Sequence, residues 1–244
     1  MTQSQSASPG LPAGRRIYAV GDIHGRADLL ARMRDLIVED LARSSVTDPA
    51  VIYLGDYIDR GPDSKGVVHC LVETPLAAAR EIHLKGNHED FLLRFLDGED
   101  DVLSWIFNGG DMTFDSYGVA LPAPLFGGGL AEVRRQFRHK LPDSHLKFFR
   151  GLVSSHAEGG YYFTHAGVRP GVPLERQHDD DLLWIRDEFL DSEADFGARV
   201  VHGHTIETDP VTRANRVGID TGAYYSGRLT CAVFEGKALR FLST

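Results

Sequence analysis

The stretch Arg15-Arg16-Ile17-Tyr18-Ala19-Val20-Gly21-Asp22-Ile23-His24-Gly25 joins a short apolar run to a burst of Gly, Asp and His. The run carries β-branched and aromatic residues and ends at a turn residue, so it reads as a buried strand. Behind it, Ala27 to Ala42 sets Leu29, Leu30, Met33, Leu36, Ile37 and Leu41 at helical spacing, with Gly25 as the break before it. The same grammar recurs four times. Val51-Ile52-Tyr53-Leu54 leads into Gly55-Asp56-Tyr57-Ile58-Asp59-Arg60-Gly61, and Glu81-Ile82-His83-Leu84 into Lys85-Gly86-Asn87-His88-Glu89. Tyr161-Tyr162-Phe163 leads into Thr164-His165-Ala166-Gly167, and Arg199-Val200-Val201 into His202-Gly203-His204-Thr205. Strands alternating with helices predict an α/β sandwich. The polar bursts fall at the carboxyl ends of strands, where open α/β sheets gather their sites. From Val211 onward the pattern predicts short strands and turns, with a hairpin around Glu235-Gly236-Lys237. Asp90 to Arg150 read as a mostly helical insertion covering one rim of the site.

The chain has 244 residues, 42% of them apolar and 25% charged, which is ordinary globular composition and excludes wholesale disorder. A formal net charge of −9 argues against non-specific binding to nucleic acid or an anionic membrane, since both want a basic face. It leaves room for an anionic substrate, because a local site can oppose the global sign. Cys70 and Cys231 make no disulfide framework and fit a reducing, cytoplasmic compartment. Met1 to Gly14 is polar and has no basic segment followed by an apolar stretch, so it reads as a flexible tail and not a signal peptide. No run of about 18 apolar residues exists, and no transmembrane helix is expected.

The bursts together supply Asp22, His24, Asp56, Asn87, His165 and His204. These are carboxylates, an amide oxygen and imidazoles, with no thiolate, a donor set that suits Mn²⁺, Fe²⁺ or Zn²⁺. Asp22 and His24, two apart in extended chain, project to the same side. One shared carboxylate can bridge two ions, as a two-metal site with about 3.5–4 Å between ions requires. Singly, Asp-x-His reads as a turn or cap, and Gly-Asn-His-Glu as a helix start. Turn chemistry does not account for five such bursts, each following a strand.

In this order, Gly-Asp-Ile-His-Gly, Gly-Asp-Tyr-Ile-Asp-Arg-Gly and Gly-Asn-His-Glu resemble the signature of the phosphoprotein phosphatase family. These are the metal-dependent Ser/Thr phosphatases among the calcineurin-like metallophosphoesterases. Thr-His-Ala-Gly and His-Gly-His-Thr complete the likeness, which spans Gly21 to Thr205, and Gly218-Ile219-Asp220-Thr221-Gly222-Ala223 is similar to bacterial members. The resemblance implies a four-layer α/β/β/α sandwich of two mixed sheets flanked by helices, a single catalytic domain over residues 15–244 behind the tail of residues 1–14. It implies that Asp22, His24 and Asp56 hold a first metal and that Asp56, Asn87, His165 and His204 hold a second, with Asp56 bridging. Mn²⁺ is the expected ion, Fe and Zn the alternatives. His88 matches the general acid and Asp59 the carboxylate that orients it. Arg60 matches a phosphate-binding arginine, and Arg186, in Leu183-Trp184-Ile185-Arg186, the second. The implied reaction is hydrolysis of a phosphomonoester by a hydroxide bridging two ions, with His88 protonating the leaving alkoxide. Arginine suits the phosphate because its planar fork donates two hydrogen bonds. No cysteine nucleophile is indicated: the residues six beyond Cys70 and Cys231 are Leu76 and Lys237, so neither has the arginine of a Cys-x5-Arg cradle.

Other signals read more plainly. Gly61 to Gly66 has P-loop glycine spacing, but Val67 stands where the lysine belongs. His69, His139, His145, His156 and His178 read as surface or packing residues, His83 as packed, and His202 as either facing the cavity or supporting it. The runs Glu99-Asp100-Asp101 and Asp179-Asp180-Asp181 read as solvated faces. Tyr224 and Tyr225 are expected to line the pocket, and Trp105 with Asn108-Gly109-Gly110 to shape a peptide groove or a nucleotide clamp. The leading expectation is a protein serine/threonine phosphatase acting on phosphoproteins or phosphopeptides, with small phosphoesters as further substrates and no nucleic-acid or membrane partner. Its close alternative is symmetrical diadenosine tetraphosphate hydrolysis. A catalytically silent binding protein is the third reading; its mark would be a lost ligand or acid, and all six ligands and His88 are present.

Overall fold

A computed structural model describes residues 10–99, 102–122 and 129–244. Residues 1–9 of the expected tail and Asp100-Asp101 of the acidic run lie outside the described residues. The strands are β1 Arg15–Val20, β2 Asp48–Tyr53, β3 Arg80–His83, β4 Ser155–Glu158, β5 Tyr161–Thr164, β6 Arg199–His202, β7 Val211–Thr212, β8 Arg216–Gly218, β9 Thr230–Glu235 and β10 Ala238–Ser243. They form two five-stranded sheets, in the orders β10-β9-β1-β2-β3 and β4-β5-β6-β8-β7. Both sheets are mixed. β1, β2 and β3 are parallel, as are β5, β6 and β8, while β9, β10, β4 and β7 run antiparallel to their neighbours.

Strand alternation sorts each sheet's side chains into two cores. From β1, Ile17 and Ala19 face the other sheet and pack with Ile52, Phe163, Val201, Val217 and Phe234. Tyr18 and Val20 face outward and meet helices α1 Ala27–Ala42 and α2 Ser64–Glu73. On the second sheet, Tyr162 and Val200 face outward onto Leu182, Ile185 and Phe189. The result is the expected helix, sheet, sheet, helix layering, with the inter-sheet layer sealed by aromatic contacts such as Tyr161 on Phe234 at 4.5 Å between ring centres.

Between β3 and β4 the described residues are mostly helical. They form α3 Asn87–Asp97, α4 Val102–Trp105, a π-wide turn over Ile106–Gly110, α5 Asp111–Ser116, α6 Gly129–Lys140 and α7 Asp143–Arg150. Short helices α8 Asp179–Trp184, α9 Asp187–Leu190 and α10 Ala223–Ser226 follow. The end of the stretch expected to be loose is anchored instead. Leu11 is buried in the inter-sheet core and its N–H donates to the Gly236 carbonyl at 2.9 Å, because one leucine in a polar run is enough to seat the segment. No helix among the described residues is long and apolar enough to cross a membrane.

Phe234 is fully buried between the sheets. Phe234→Ala is expected to lower unfolding stability by about 3–5 kcal/mol, measured by urea denaturation. A loss within the ~0.5 kcal/mol of a surface substitution would show that this ring does not hold the sheets together.

Candidate metal centre

The six parallel strands all end on one edge of the sandwich, and each delivers a polar residue there. Asp22 and His24 follow β1; Asp56, Asp59 and Arg60 follow β2; Asn87 and His88 follow β3. His165 follows β5, His204 follows β6, and Asp220 follows β8. Among the described residues, the only positive φ angles outside glycine belong to this set: His24 at 45°, Asp56 at 50°, Asp59 at 72°, Arg60 at 65° and His204 at 63°. Such conformations are unfavourable for residues with a Cβ and persist where surrounding contacts impose them.

Asp56 lies at the centre. Its ligand atom belongs to two groups whose donors lie within 4.8 Å of one another, His24–Asp56–His88 and Asp56–His165–His204. Hydrogen bonds fix which imidazole nitrogens carry protons. His165 Nδ1 is 3.0 Å from the Leu54 carbonyl and His24 Nδ1 is 2.9 Å from the Ile58 carbonyl. A carbonyl only accepts, so both histidines donate there and turn an Nε2 lone pair inward. His165 Nε2 then stands 2.8 Å from Asn87 Oδ1, 3.2 Å from His204 Nδ1 and 3.4 Å from Asp56 Oδ2. Of this group only His204 can bring a proton, so most of the converging lone pairs face one another and would be relieved by a cation among them. Asp22 Oδ1, His204 Nε2 and Asp220 Oδ2 are buried with no hydrogen-bond partner. Nitrogen and oxygen donors without sulfur fit Mn²⁺, Fe²⁺ or Zn²⁺, so the residues present fit a pair of divalent ions.

Asp22 does not share the first group's radius. Its Oδ2 accepts the His204 backbone N–H at 3.0 Å. Burial, then the charges of Asp220 and Asp56, push its carboxyl well above the usual range. Burial likewise holds His24, His165 and His204 below the ordinary histidine value, His204 at about 2, which keeps them neutral as metal ligation requires. Two glycines let the backbone approach the carboxylates. A Cβ at Gly86 would run into Asp56 Oδ1, and one at Gly203 into Asp22 Oδ1.

His88 sits 3.8 Å from Asp56 through Nε2 and 2.6 Å from Asp59 Oδ2 through Nδ1. Burial disfavours its charged form, yet the charges of Asp56 and Asp59 outweigh that and raise its pKa. The Arg60 guanidinium bridges the mouth, with Nη1 3.0 Å from His24 Nε2 and Nη2 3.1 Å from His88 Nε2, and lies over the Tyr224 ring at 5.1 Å. Arg186 is exposed beside the second group, 3.1 Å from Thr205 Oγ1. Tyr224 therefore touches the site, and Tyr225 stands outside it, exposed. His202 faces the outer layer, against Phe189 at 5.0 Å, and supports the strand without entering the cavity.

Four contributions escaped the sequence reading. Glu89 Oε2 accepts N–H groups from Asp56 and Gly86, and Oε1 that of Tyr57, each at 2.9 Å; it braces the Asp56 loop. Asp220 completes the carboxylate cluster; its signal was a sixth strand followed by Gly218-Ile219-Asp220, lacking any histidine. Trp105 is fully buried, so it shapes no groove; its indole N–H donates to Asp59 Oδ2 at 2.6 Å, as the Thr113 hydroxyl does to Asp59 Oδ1.

A family model described as calcineurin-like phosphoesterase matches residues 15–225. The chain is 30% identical over 224 residues to serine/threonine-protein phosphatase 1 of Salmonella typhimurium, covering 89% of this chain and 91% of that one. It is 27% identical over 234 residues to the asymmetrical bis(5'-nucleosyl)-tetraphosphatase PrpE of Halalkalibacterium halodurans, covering 88% of each. Among solved structures, the cold-active protein-tyrosine phosphatase of a Shewanella species superposes with a TM-score of 0.61 at 14% identity, covering 96% of this chain and 79% of that one; this likeness is of fold.

The acidic cluster makes metal-free protein pH-sensitive. Burial and then the charge of Asp56 raise the Asp220 carboxyl from its ordinary 3.8 to about 6. A carboxyl raised on folding binds more protons in the folded state, so its contribution is lost as pH rises through that window. In excess chelator, Asp220→Asn should therefore gain stability over wild type by an amount that grows from about pH 4 to about pH 6 and then levels, read by urea denaturation. Saturating Mn²⁺ should shrink the gap. A gap that stays flat with pH would show that Asp220 carries no unfavourable charge in the fold.

Proposed function

The chain belongs to the calcineurin-like phosphoesterase family, and on that premise we propose that this metallophosphoesterase is a protein serine/threonine phosphatase with a dinuclear metal centre. One observation carries the reading: His88, held by Asp59 at 2.6 Å, turns its other nitrogen toward Asp56 and Arg60. A seryl or threonyl alkoxide is a poor leaving group and needs a proton as it departs, whereas a phosphoanhydride leaving group needs little. A rigidly held acid is the part that the ester reaction demands and the anhydride reaction does not. The 30% identity to a serine/threonine-protein phosphatase agrees with this.

In this reading Asp22, His24 and Asp56 hold one ion, and Asp56, Asn87, His165 and His204 the other. Two divalent ions, when bound, would supply Lewis-acid polarisation of the phosphoryl oxygens and acidify the attacking water. Arg60 and Arg186 take the remaining phosphoryl oxygens through their forked N–H groups. Water adds to phosphorus, the bond from phosphorus to the serine oxygen breaks, and the His88 Nε2 proton passes to that oxygen. Asp59 keeps the ring oriented and stabilises its cationic form before transfer.

Dinucleoside tetraphosphate hydrolysis is the rival. What favours it is an apolar rim beside Arg60 on which a base could stack. Phe107 is 86% exposed on the turn whose Gly109 carbonyl meets the Arg60 N–H, and Tyr225 is 62% exposed beside Tyr224. Phosphate release from a phosphoseryl peptide and hydrolysis of diadenosine tetraphosphate, each with Mn²⁺ and with chelator, separate the two. Metal-dependent turnover mainly on the peptide is expected; turnover mainly on the dinucleotide overturns the protein-phosphatase reading and leaves the metal centre standing. His88→Asn should keep both ions and lose kcat on the peptide by about 10²–10⁴-fold. Normal turnover in that variant would remove His88 from the reaction. Asp56→Asn should lose both ions and activity together, read by metal analysis after gel filtration.

A further inference from the structure

Asp59 and Arg60 are neighbours in the chain, and both hold positive φ. Aspartate tolerates this region better than most residues but arginine does not, so the consecutive pair needs outside contacts to hold it. Besides Ser64 Oγ of α2, which accepts the Asp59 N–H at 3.0 Å, those contacts come from one short piece of the helical insertion. Trp105 donates its indole N–H to Asp59 Oδ2, the atom that also receives His88. Thr113 donates its hydroxyl to Asp59 Oδ1 and accepts the Asp59 backbone N–H at 3.0 Å. Between them, the π-wide turn offers the Gly109 carbonyl to the Arg60 N–H at 3.0 Å and the Asn108 carbonyl to Arg60 Nε at 3.4 Å. Turns of this kind are frequent where a helix is distorted for function.

The anchors are stiff. Trp105 is packed among Phe95, Phe114 and Phe137, with the Phe114 ring at 4.8 Å. Its indole has no freedom to follow a moving carboxylate. Thr113 and Ser64 hydrogen-bond each other at 3.0 Å beneath the same loop. The Asp59 carboxylate is therefore fixed by two donors before it holds the imidazole.

We infer that Trp105 and Thr113 are positioning residues for proton delivery, a clamp from the insertion that sets the direction of the His88 proton through Asp59. The inference rests on the reading of His88 as general acid. Neither residue touches the phosphoryl group. Loss of either should weaken only the step that needs a directed proton, and spare a leaving group that departs unaided.

The test is a leaving-group comparison. Trp105→Phe keeps an aromatic ring and removes the N–H; Thr113→Val keeps the shape and removes the hydroxyl; Thr113→Ser retains it. Each is assayed with its metal content measured, on a phosphoseryl peptide and on 2,4-dinitrophenyl phosphate, with His88→Asn alongside. Trp105→Phe and Thr113→Val should each lose about tenfold in kcat on the peptide, part of the 10²–10⁴-fold contribution of a general acid, and less than about threefold on the aryl ester. Thr113→Ser should recover most of the loss. In metal-free protein both variants should also speed solvent exchange of the His88 Nδ1 proton, read by NMR. Equal losses on both substrates, no loss, or unchanged exchange would each overturn the clamp. If Trp105→Phe does not fold, the Thr113 pair decides. If His88→Asn itself loses equally on both substrates, the acid assignment fails first and the clamp with it.

Discussion

Everything at this edge depends on keeping Asp56 charged while it is buried. Its carboxylate is almost without solvent: Oδ2 lies 3.4 Å from both His24 Nε2 and His165 Nε2, Oδ1 accepts the His88 backbone N–H, and the Asp22 carboxylate is close enough for the two charges to repel. Burial of such a cluster is strongly unfavourable without positive charge at its centre. The chain supplies some of that charge through Arg60, and the donor chemistry calls for the remainder as divalent cations. The loops that crowd these groups together are held in unfavourable backbone conformations. Part of the restraint comes from Glu89, whose carboxylate accepts backbone N–H groups of Asp56, Tyr57, Ile58 and Gly86, and part from the insertion, which holds Asp59 and Arg60. Two well-packed sheets give the rigid frame from which such loops can be forced.

Much of this was legible in the sequence because apolar runs and polar bursts alternate so sharply. The strand Arg15–Val20 and the helix Ala27–Ala42 have the bounds that the pattern predicts, since a clear change of period marks both ends. β4 was not legible: Ser155-His156-Ala157-Glu158 has neither the apolar run nor the branching of a strand and exists only by pairing with β5. Leu11 shows the same limit on a smaller scale, since one apolar residue in a polar run gives no period to read, yet it fits a waiting gap in the core.

The site shows a similar division. Residues that reach the centre come in short motifs, where spacing and residue type signal chemistry directly. Residues that hold those motifs come from far along the chain and look unremarkable in place. Trp105 is 46 positions from Asp59, and a tryptophan in a helical stretch looks like core, which it also is. Only the fold reveals that its indole N–H is spent on Asp59, the partner of His88. Asp220 stayed hidden because Gly-Ile-Asp-Thr-Gly reads equally well as a turn.

A metal pair of this kind does not by itself choose between an ester and an anhydride, because the phosphoryl group it would activate is the same in both. The choice falls to what surrounds the leaving atom. On one side stands His88, whose ring is fixed through Asp59 to the buried core of the insertion; in the proposed role of general acid it matters in proportion to how badly the leaving group needs a proton. On the other stands a rim of exposed aromatic rings, which adds binding for any apolar or stacked group but does nothing for bond breaking. Binding energy gained at the rim is available to both substrates. Proton delivery is not, and under the proposed reading the three side-chain donors gathered on the buried Asp59 carboxylate serve the substrate with the more basic leaving oxygen.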